Sequence, residues 1–89
     1  MSNVVSQFYG MVVLMPYREN RSARPYFEVM YEGEVSKFEI EDGRMYEGHL
    51  AQEGQEIVKD WLLEHGRELN ENWKCLQNNE PIKPIAPIL

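Results

Sequence analysis

The feature that most constrains this chain is a row of large side chains at every fourth position. The row consists of Trp61, His65, Leu69 and Trp73. Spacings of three and four residues place side chains on one face of an α-helix. Each buried tryptophan removes on the order of 150–250 Å² of surface from water. The row therefore predicts an amphipathic helix whose apolar face the rest of the chain must cover.

The predicted helix covers residues 52–77. Smaller apolar residues extend the row or lie beside it: Ile57, Val58, Leu62 and Leu76. Gly66 lies inside the pattern and costs about 1 kcal/mol relative to alanine. Two alternatives follow, a kinked helix or two helices split between Gly66 and Asn70. The step Asn78-Asn79, with a proline soon after it, predicts the end of the helix.

Residues 1–47 carry the patterns of a β-sheet. Apolar or alternating segments predict strands over Val4–Tyr9, Met11–Met15, Tyr26–Tyr31, Val35–Ile40 and Arg44–Glu47. The run Met11–Met15 has no polar face, which predicts a central strand covered on both sides. Short turns between the strands favour a meander of sequence neighbours. The predicted fold class is α+β: a mostly antiparallel sheet of four or five strands, with the helical segment across one face.

Glycines mark the predicted turns. Gly10 allows a bend or bulge after the first strand, and the chain turns at Glu32-Gly33 or Gly33-Glu34. Asp42-Gly43 is the strongest hairpin signal, because both central positions of such a turn need positive φ. Residues 18–24 have no apolar period and are predicted to form a loop.

Residues 79–89 form an extended, proline-rich tail in this interpretation. Its isoleucines Ile82, Ile85 and Ile88 recur every third residue, between prolines of the same period. Because polyproline II has three residues per turn, the isoleucines would form one ridge. We expect this ridge to pack either on its own domain or on a neighbouring chain; a frayed terminus is the alternative.

Length and composition indicate one small domain over residues 1–89, 43% hydrophobic and 27% charged. No apolar run approaches the roughly 20 residues of a membrane span, and the first residues lack the pattern of a signal peptide. We therefore expect a cytoplasmic protein with no membrane partner. The net charge of −6 disfavours binding to nucleic acid, which gains from Lys and Arg on the phosphates, although a local basic patch can override it.

The chain offers few residues for chemistry. A metal site needs three or four ligands, and beyond carboxylates there are His49, His65 and Cys75. We expect His65 to cap the core and bond a carbonyl, and Cys75 to act as a small buried hydrophobe. No recognisable nucleophile–histidine spacing or glycine-rich phosphate loop occurs. The prediction is no catalytic residue, no cofactor and no metal.

One charged loop stands out, because three of the nine basic residues fall on it. Arginine beside aromatic residues suits capture of carboxylate or phosphate, or stacking on bases. A flexible charged loop is the alternative. Together with the tail, this loop gives the candidate partner-binding residues: Arg18, Arg21, Arg24, Tyr26, Glu28, Ile82, Ile85 and Ile88.

Several short motifs occur in a fixed order along the chain. They are Phe8-Tyr9-Gly10, Met15-Pro16-Tyr17, Gly48, Trp61-x-x-x-His65, Glu68-Leu69, Trp73 and Ile85-Ala86-Pro87-Ile88. This ordered set resembles the family of small bacterial proteins catalogued as domain of unknown function 4160, over essentially the whole chain. The resemblance implies membership in toxin–antitoxin-type gene pairs, which is a genomic association rather than a mechanism.

The chain departs from that family in one element. The family carries a histidine-rich signature, roughly Asp-His-x-Pro-Pro-His-Phe-His, where this chain has Pro25, Tyr26, Phe27 and Glu28. Proton transfer or metal ligation by those histidines is therefore not expected here.

Three functional hypotheses follow. The first is a non-enzymatic protein-interaction module, a subunit of a bacterial toxin–antitoxin-like or regulatory pair. It predicts a complex with the product of an adjacent gene, or a homodimer, lost on truncation after Asn79. The second is a nucleic-acid-acting toxin or enzyme that uses the Arg18–Arg24 loop with Glu28. The third is a degenerate family member that retains only the scaffold.

Overall fold

The computed structural model describes residues 3–16 and 24–88. Its strands are Val4–Phe8 (β1), Met11–Leu14 (β2), Tyr26–Tyr31 (β3), Glu34–Glu39 (β4) and Met45–Glu47 (β5), and helix α1 spans Gln52–Gln77. The five strands form one sheet in the order β1-β2-β3-β4-β5, and each pairs antiparallel with the next. The predicted α+β class, the meander and the single helical segment are confirmed.

Two turns of the sheet are two-residue hairpins. Tyr9 and Gly10 have φ angles of 50° and 76°, and Glu32 and Gly33 have 51° and 82°. Positive φ at both central positions is what a type I′ turn requires, and its twist matches that of the flanking strands. The predicted bend or bulge at Gly10 is therefore a tight hairpin turn. The irregularity of register lies inside β1 instead.

The connection between β4 and β5 differs from the prediction. Gly43 has a φ of 73°, whereas Asp42 is not among the described residues with positive φ. The loop closes through the Gly43 N–H, which donates to the Glu39 carbonyl at 2.9 Å. Asp42 Oδ1 accepts the Arg44 N–H at 2.9 Å. Asp42 thus forms the turn with its side chain, and the loop is longer than a two-residue hairpin.

One face of the sheet is buried against α1. Its buried residues are Val5, Phe8, Met11, Val13, Met15, Phe27, Val29, Phe38 and Ile40. Across from them Trp61 and Leu69 are fully buried and Trp73 is 6% exposed. The Trp61 ring lies 5.3 Å from that of Phe8 and 6.1 Å from that of Phe27. The predicted row is the buried face of the helix.

Strand β2 is closed on one side only. Met11 and Val13 are buried beneath the helix, whereas Val12 and Leu14 point to the other side and are half-buried. The uninterrupted apolar run therefore does not mark a strand covered on both faces.

The helix runs without a break through Gly66, so the alternative of two helices split between Gly66 and Asn70 is wrong. A Cβ at this position would meet Leu62 Cδ1 at 3.8 Å, which is an ordinary contact. Tertiary packing of the apolar face stabilises the helix and outweighs the local cost of one glycine.

The helix ends where the sequence predicts. Asn79 adopts a left-handed conformation with φ 57°, and its N–H donates to the Leu76 carbonyl at 3.3 Å. The Glu80 N–H donates to the Cys75 carbonyl at 2.7 Å. This pair of bonds is a Schellman motif, which satisfies the last carbonyls and turns the chain back along the helix.

Two side chains of α1 hold the returning tail. The Trp61 indole N–H donates to the Ala86 carbonyl at 2.9 Å. Asn72 is 2% exposed; its Nδ2 donates to the Lys83 carbonyl at 2.9 Å, and its Oδ1 accepts the Lys83 N–H at 2.8 Å. The side-chain amide therefore satisfies both backbone groups of one tail residue.

The tail also covers the free edge of β1. The Ile85 N–H donates to the Val5 carbonyl at 2.7 Å. Ile85 is 5% exposed, and Ile82 and Ile88 are partly buried against the core. Of the two alternatives predicted for the isoleucine ridge, the tail packs on its own chain, and it is not frayed over the residues described.

Asn72→Ala tests the tail anchor. We expect it to lower the free energy of unfolding by about 1–3 kcal/mol, because both backbone groups of Lys83 lose their partner. Urea denaturation followed by tryptophan fluorescence measures the change. Glu71→Ala is the matched control, since Glu71 is exposed beside Asn72 on the same helix. Equal stability of the two variants would show that the anchor contributes nothing.

Candidate functional site

The charged loop predicted to bind a partner lies mostly beyond the described residues. Arg18 and Arg21 fall outside them. Arg24 is described, and its Nη1 lies 3.5 Å from Glu39 Oε1, with the arginine side chain 74% exposed. An ion pair this exposed contributes little to stability. The hypothesis of a nucleic-acid-binding arginine loop stays a prediction.

Tyr26 and Glu28 lie in different surroundings. Tyr26 is 4% exposed, and its ring centroid lies 5.5 Å from that of Trp73 and 6.1 Å from that of Tyr46. Lys37 Nζ sits 5.5 Å from the same centroid. Glu28 is half-buried in the middle of β3. Tyr26 thus belongs to the core, and Glu28 to the sheet surface.

The isoleucines of the tail pack on the core of their own chain. Ile85 is buried, and Ile82 and Ile88 pack against the same cluster. The exposed residues of the tail are instead Pro81, Lys83, Pro84, Ala86 and Pro87. The predicted contact of the isoleucines with a partner stays a prediction.

The two histidines and the cysteine have separate surroundings in the described structure. His65 Nδ1 lies 2.6 Å from Glu68 Oε1, so its partner is a carboxylate rather than the expected carbonyl. The His49 carbonyl accepts the Ser36 hydroxyl at 3.0 Å, and Cys75 is half-buried. Over residues 3–16 and 24–88, no three His, Cys, Asp or Glu side chains could hold a metal ion together.

A surface groove of about 690 Å³ lies between α1 and the β4–β5 loop. We call it the helix groove. Its lining residues are Pro25, Ile40, Glu41, Asp42, Lys59, Leu62, Leu63, Gly66 and Asn70.

The shape of the helix groove follows from two glycines and one leucine. A Cβ at Gly43 would come within 2.9 Å of Leu62 Cδ2, so a larger residue would push this leucine side chain aside, and the φ of 73° also favours glycine here. Gly66 has no side chain and leaves the groove open beside it. Leu63 is 85% exposed at the same place. The groove therefore has an apolar edge that no part of the described chain covers.

Charges on the helix groove are mostly negative. Glu41 and Asp42 line it on the loop side and Lys59 on the helix side. The hydrogen bond from the Arg44 N–H holds the Asp42 carboxylate in place. The groove thus combines an apolar edge with a net acidic rim, and the whole chain is acidic as well.

The outer side of the sheet forms a second surface, which we call the open sheet face. Val12 pairs in register with Met30, and Met30 with Val35. Directly paired residues of antiparallel strands point to the same side, so these three form one apolar row. Met30 is 37% and Val35 46% exposed.

A charged row lies next to the apolar row, two residues further along each strand. Leu14 pairs with Glu28, Glu28 with Lys37, and Lys37 with Glu47. Lys37 Nζ lies 3.5 Å from Glu47 Oε2. The open sheet face therefore presents one apolar and one charged row, parallel to each other and about 7 Å apart along the strands.

Tyr46 at the edge of the sheet has a perturbed titration. Burial raises the pKa of its phenol above the ordinary 10.0, and the carboxylates of Glu47, Glu39 and Glu28 raise it further. Both causes disfavour the charged phenolate.

Comparison with known proteins identifies the family. A family model described as a domain of unknown function (DUF4160) matches residues 10–74. The chain belongs to this family. No curated protein and no solved structure matches the chain. The DUF4160 match includes all of the helix groove and both rows of the open sheet face, whereas the last residues of α1 and the tail lie outside it. Within the described residues, no helix has the length and hydropathy to cross a bilayer.

Sequence reasoning missed two residues of this DUF4160 chain. Leu63 is an apolar residue on the charged side of the helix, and that mismatch is a signal the sequence contains. Asn72 follows the buried Leu69 by three positions, which places it on the same face. A buried asparagine needs partners for its amide, but no local pattern indicates that they come from the tail.

The raised pKa of Tyr46 predicts a pH dependence. The folded chain favours the neutral phenol, so this contribution to stability is complete below pH 10.0 and is lost as pH rises through the raised pKa. Tyr46→Phe should therefore lose less stability than the wild type in alkaline solution, measured by urea denaturation over a pH series. Tyr9→Phe, on an exposed turn, is the control. Parallel loss in Tyr46→Phe and the wild type would contradict the assignment.

Proposed function

We propose that this chain is a non-enzymatic protein-interaction module whose helix groove receives an apolar side chain from a basic protein partner. The observation that carries the proposal is Leu63, which is 85% exposed at the edge of a groove that Leu62 and Ile40 also line. Single exposed leucines are common. A leucine continuous with an apolar groove is a better candidate for a contact site.

The energetics of such a contact are adequate for specific binding. Burying one leucine side chain contributes roughly 1.5–3 kcal/mol, which is the size of effect that marks an interface hot spot. Gly66 leaves room for the incoming side chain beside Leu63. The partner's anchor would then be packed on one side by Leu63 and on the other by the β4–β5 loop.

Charge favours a basic partner. The carboxylates of Glu41 and Asp42 rim the groove, and the chain carries a net charge of −6. Complementary charges mainly raise the association rate and exclude wrong partners. A basic segment with one apolar anchor matches both features of the groove.

The setting we propose is a bacterial toxin–antitoxin-like or regulatory pair in the cytoplasm, with the partner encoded by an adjacent gene. Small size and acidic charge support this setting, as does the ordered set of family motifs in the sequence. In it the chain acts by occupying its partner's surface, and no reaction step is assigned to its own residues.

Truncation after Asn79 is a poor test of this function. It removes Ile85 from the core and the hydrogen bond of its N–H to Val5. A truncated chain would lose stability along with any partner, so loss of binding could not be assigned to the tail surface.

Two substitutions in the helix groove test the proposal directly. Each chain is co-expressed with the products of the two flanking genes and recovered through an affinity tag. Leu63→Ser removes the apolar edge, and Gly66→Leu fills the groove while improving helix propensity. We expect each to reduce recovery of the partner by about tenfold, which corresponds to about 1.4 kcal/mol.

Glu56→Ser is the matched control, because Glu56 is exposed on the same helix and outside the groove. It should recover the partner as the wild type does. Thermal melts of all variants show whether the fold is intact. Failure of the wild type to retain either gene product, or equal recovery by Gly66→Leu, would contradict the proposal.

A further inference from the structure

We propose that the open sheet face binds a second copy of this chain, about a two-fold axis that runs parallel to the strands between β3 and β4. This surface lies on the side of the sheet away from the helix groove, and the inference does not depend on the proposed function. The occupant is identified by the pattern of the face, which complements itself about this axis.

The two-fold axis places each row against the same row of the second copy. A rotation about an axis along the strands preserves position along them and exchanges β3 with β4. Met30 then faces Val35 of the second copy, and Val35 faces Met30. The apolar row is thereby buried against itself, as the inner faces of two packed sheets are.

The same rotation pairs opposite charges. Glu28 of β3 faces Lys37 of the second copy, and Lys37 faces Glu28, so one axis forms both pairs. Such an interface is isologous, with the same patch on both subunits. The Lys37–Glu47 pair at 3.5 Å within each chain keeps the ammonium on this face.

The signs of the charges exclude the neighbouring arrangements. An axis along β3 itself would place Glu28 against Glu28, and an axis along β4 would place Lys37 against Lys37. Like charges brought together at an interface oppose association. An axis between β2 and β3 would set Leu14 against Glu28 and leave Lys37 without an acidic residue opposite. Among these axes parallel to the strands, only the one between β3 and β4 sets Met30 against Val35 and Glu28 against Lys37; it also brings Leu14 opposite Glu47.

The exposure of the face is consistent with this occupant. Met30 and Val35 are 37% and 46% exposed, whereas Phe27, Val29 and Phe38 on the opposite sheet face are buried. β5 pairs with β4 only at Lys37 and Phe38. It therefore does not reach the part of β4 that contains Val35. A second sheet could cover this exposed apolar area.

The interface is small, so the dimer should be weak and its population should depend on concentration. Interfaces at the low end of the size range are typical of transient association. Sedimentation equilibrium over a wide concentration range, extending to that used for NMR, is the appropriate measurement for the full chain.

Charge-swapped variants provide the decisive experiment. Glu28→Lys alone places a positive charge against Lys37 of the second copy, and Lys37→Glu alone places a negative charge against Glu28. Each should raise the dissociation constant of the homodimer by at least about tenfold. An equimolar mixture of the two should recover the dimer, because both contacts between the unlike chains are again of opposite sign.

This recovery distinguishes the interface from damage to the fold, since mixing does not repair a misfolded chain. Both swapped chains stay net negative, so overall charge does not draw them together. Met30→Asp should abolish the dimer, and Leu63→Ser, on the helix groove, should leave it unchanged.

The proposal is overturned if the wild type stays monomeric at the highest concentration. It is equally overturned by a dimer that tolerates Met30→Asp, which places the contact elsewhere, or by swapped chains that do not associate on mixing. A monomer whose open sheet face becomes protected from solvent only when another protein is added would also overturn it, because that protein would then be the occupant of the face.

Discussion

The position of one indole joins all parts of this fold. Trp61 is fully buried, and its ring contacts Phe8 of β1 and Phe27 of β3. Its N–H donates to the carbonyl of Ala86 in the tail. A tryptophan combines a large apolar area with one donor that needs a partner when buried. Sheet, helix and tail are therefore fixed by the same side chain.

This arrangement divides the molecule into a closed side and an open side. The helix and tail cover the inner face of the sheet and the edge of β1, whereas the outer face of β2, β3 and β4 carries the exposed Met30 and Val35. The far side of the long helix is exposed to solvent, and there Leu63 lines the helix groove together with the β4–β5 loop. Both surfaces to which we assign interactions result from one helix covering one face of a five-stranded sheet.

Local periodicity was enough to predict the elements. The fourfold spacing of Trp61 to Trp73 gives the helix and its buried face, and alternation around Phe27 gives a strand with its inward side. The prediction of a two-residue hairpin at Asp42-Gly43 was wrong. A hydrogen bond to the Asp42 side chain takes the place of a second residue with positive φ, and composition alone does not indicate such a bond. The carboxylate partner of His65 lies three residues away and could have been found from helix geometry.

Long-range relations could not be predicted in the same way. Whether the isoleucine ridge packs on its own chain depends on Asn72 and Trp61 meeting tail carbonyls that are 11 and 25 residues away. The helix groove depends on how closely Gly43 approaches Leu62, which no local pattern encodes. The rows of the open sheet face require the strand registers, and those follow from pairing rather than from any one strand.

The central claim is that the tail is an integral layer of the fold, held by the helix and by β1. Native-state hydrogen exchange of the Ile85 amide, which donates to the Val5 carbonyl at 2.7 Å, tests it most directly. If the claim is correct, this amide opens with the same free energy as the amides of the β2–β3 ladder, as members of one cooperative unit do. Exchange of Ile85 at the rate of an unstructured peptide, while the β2–β3 ladder stays protected, would contradict it.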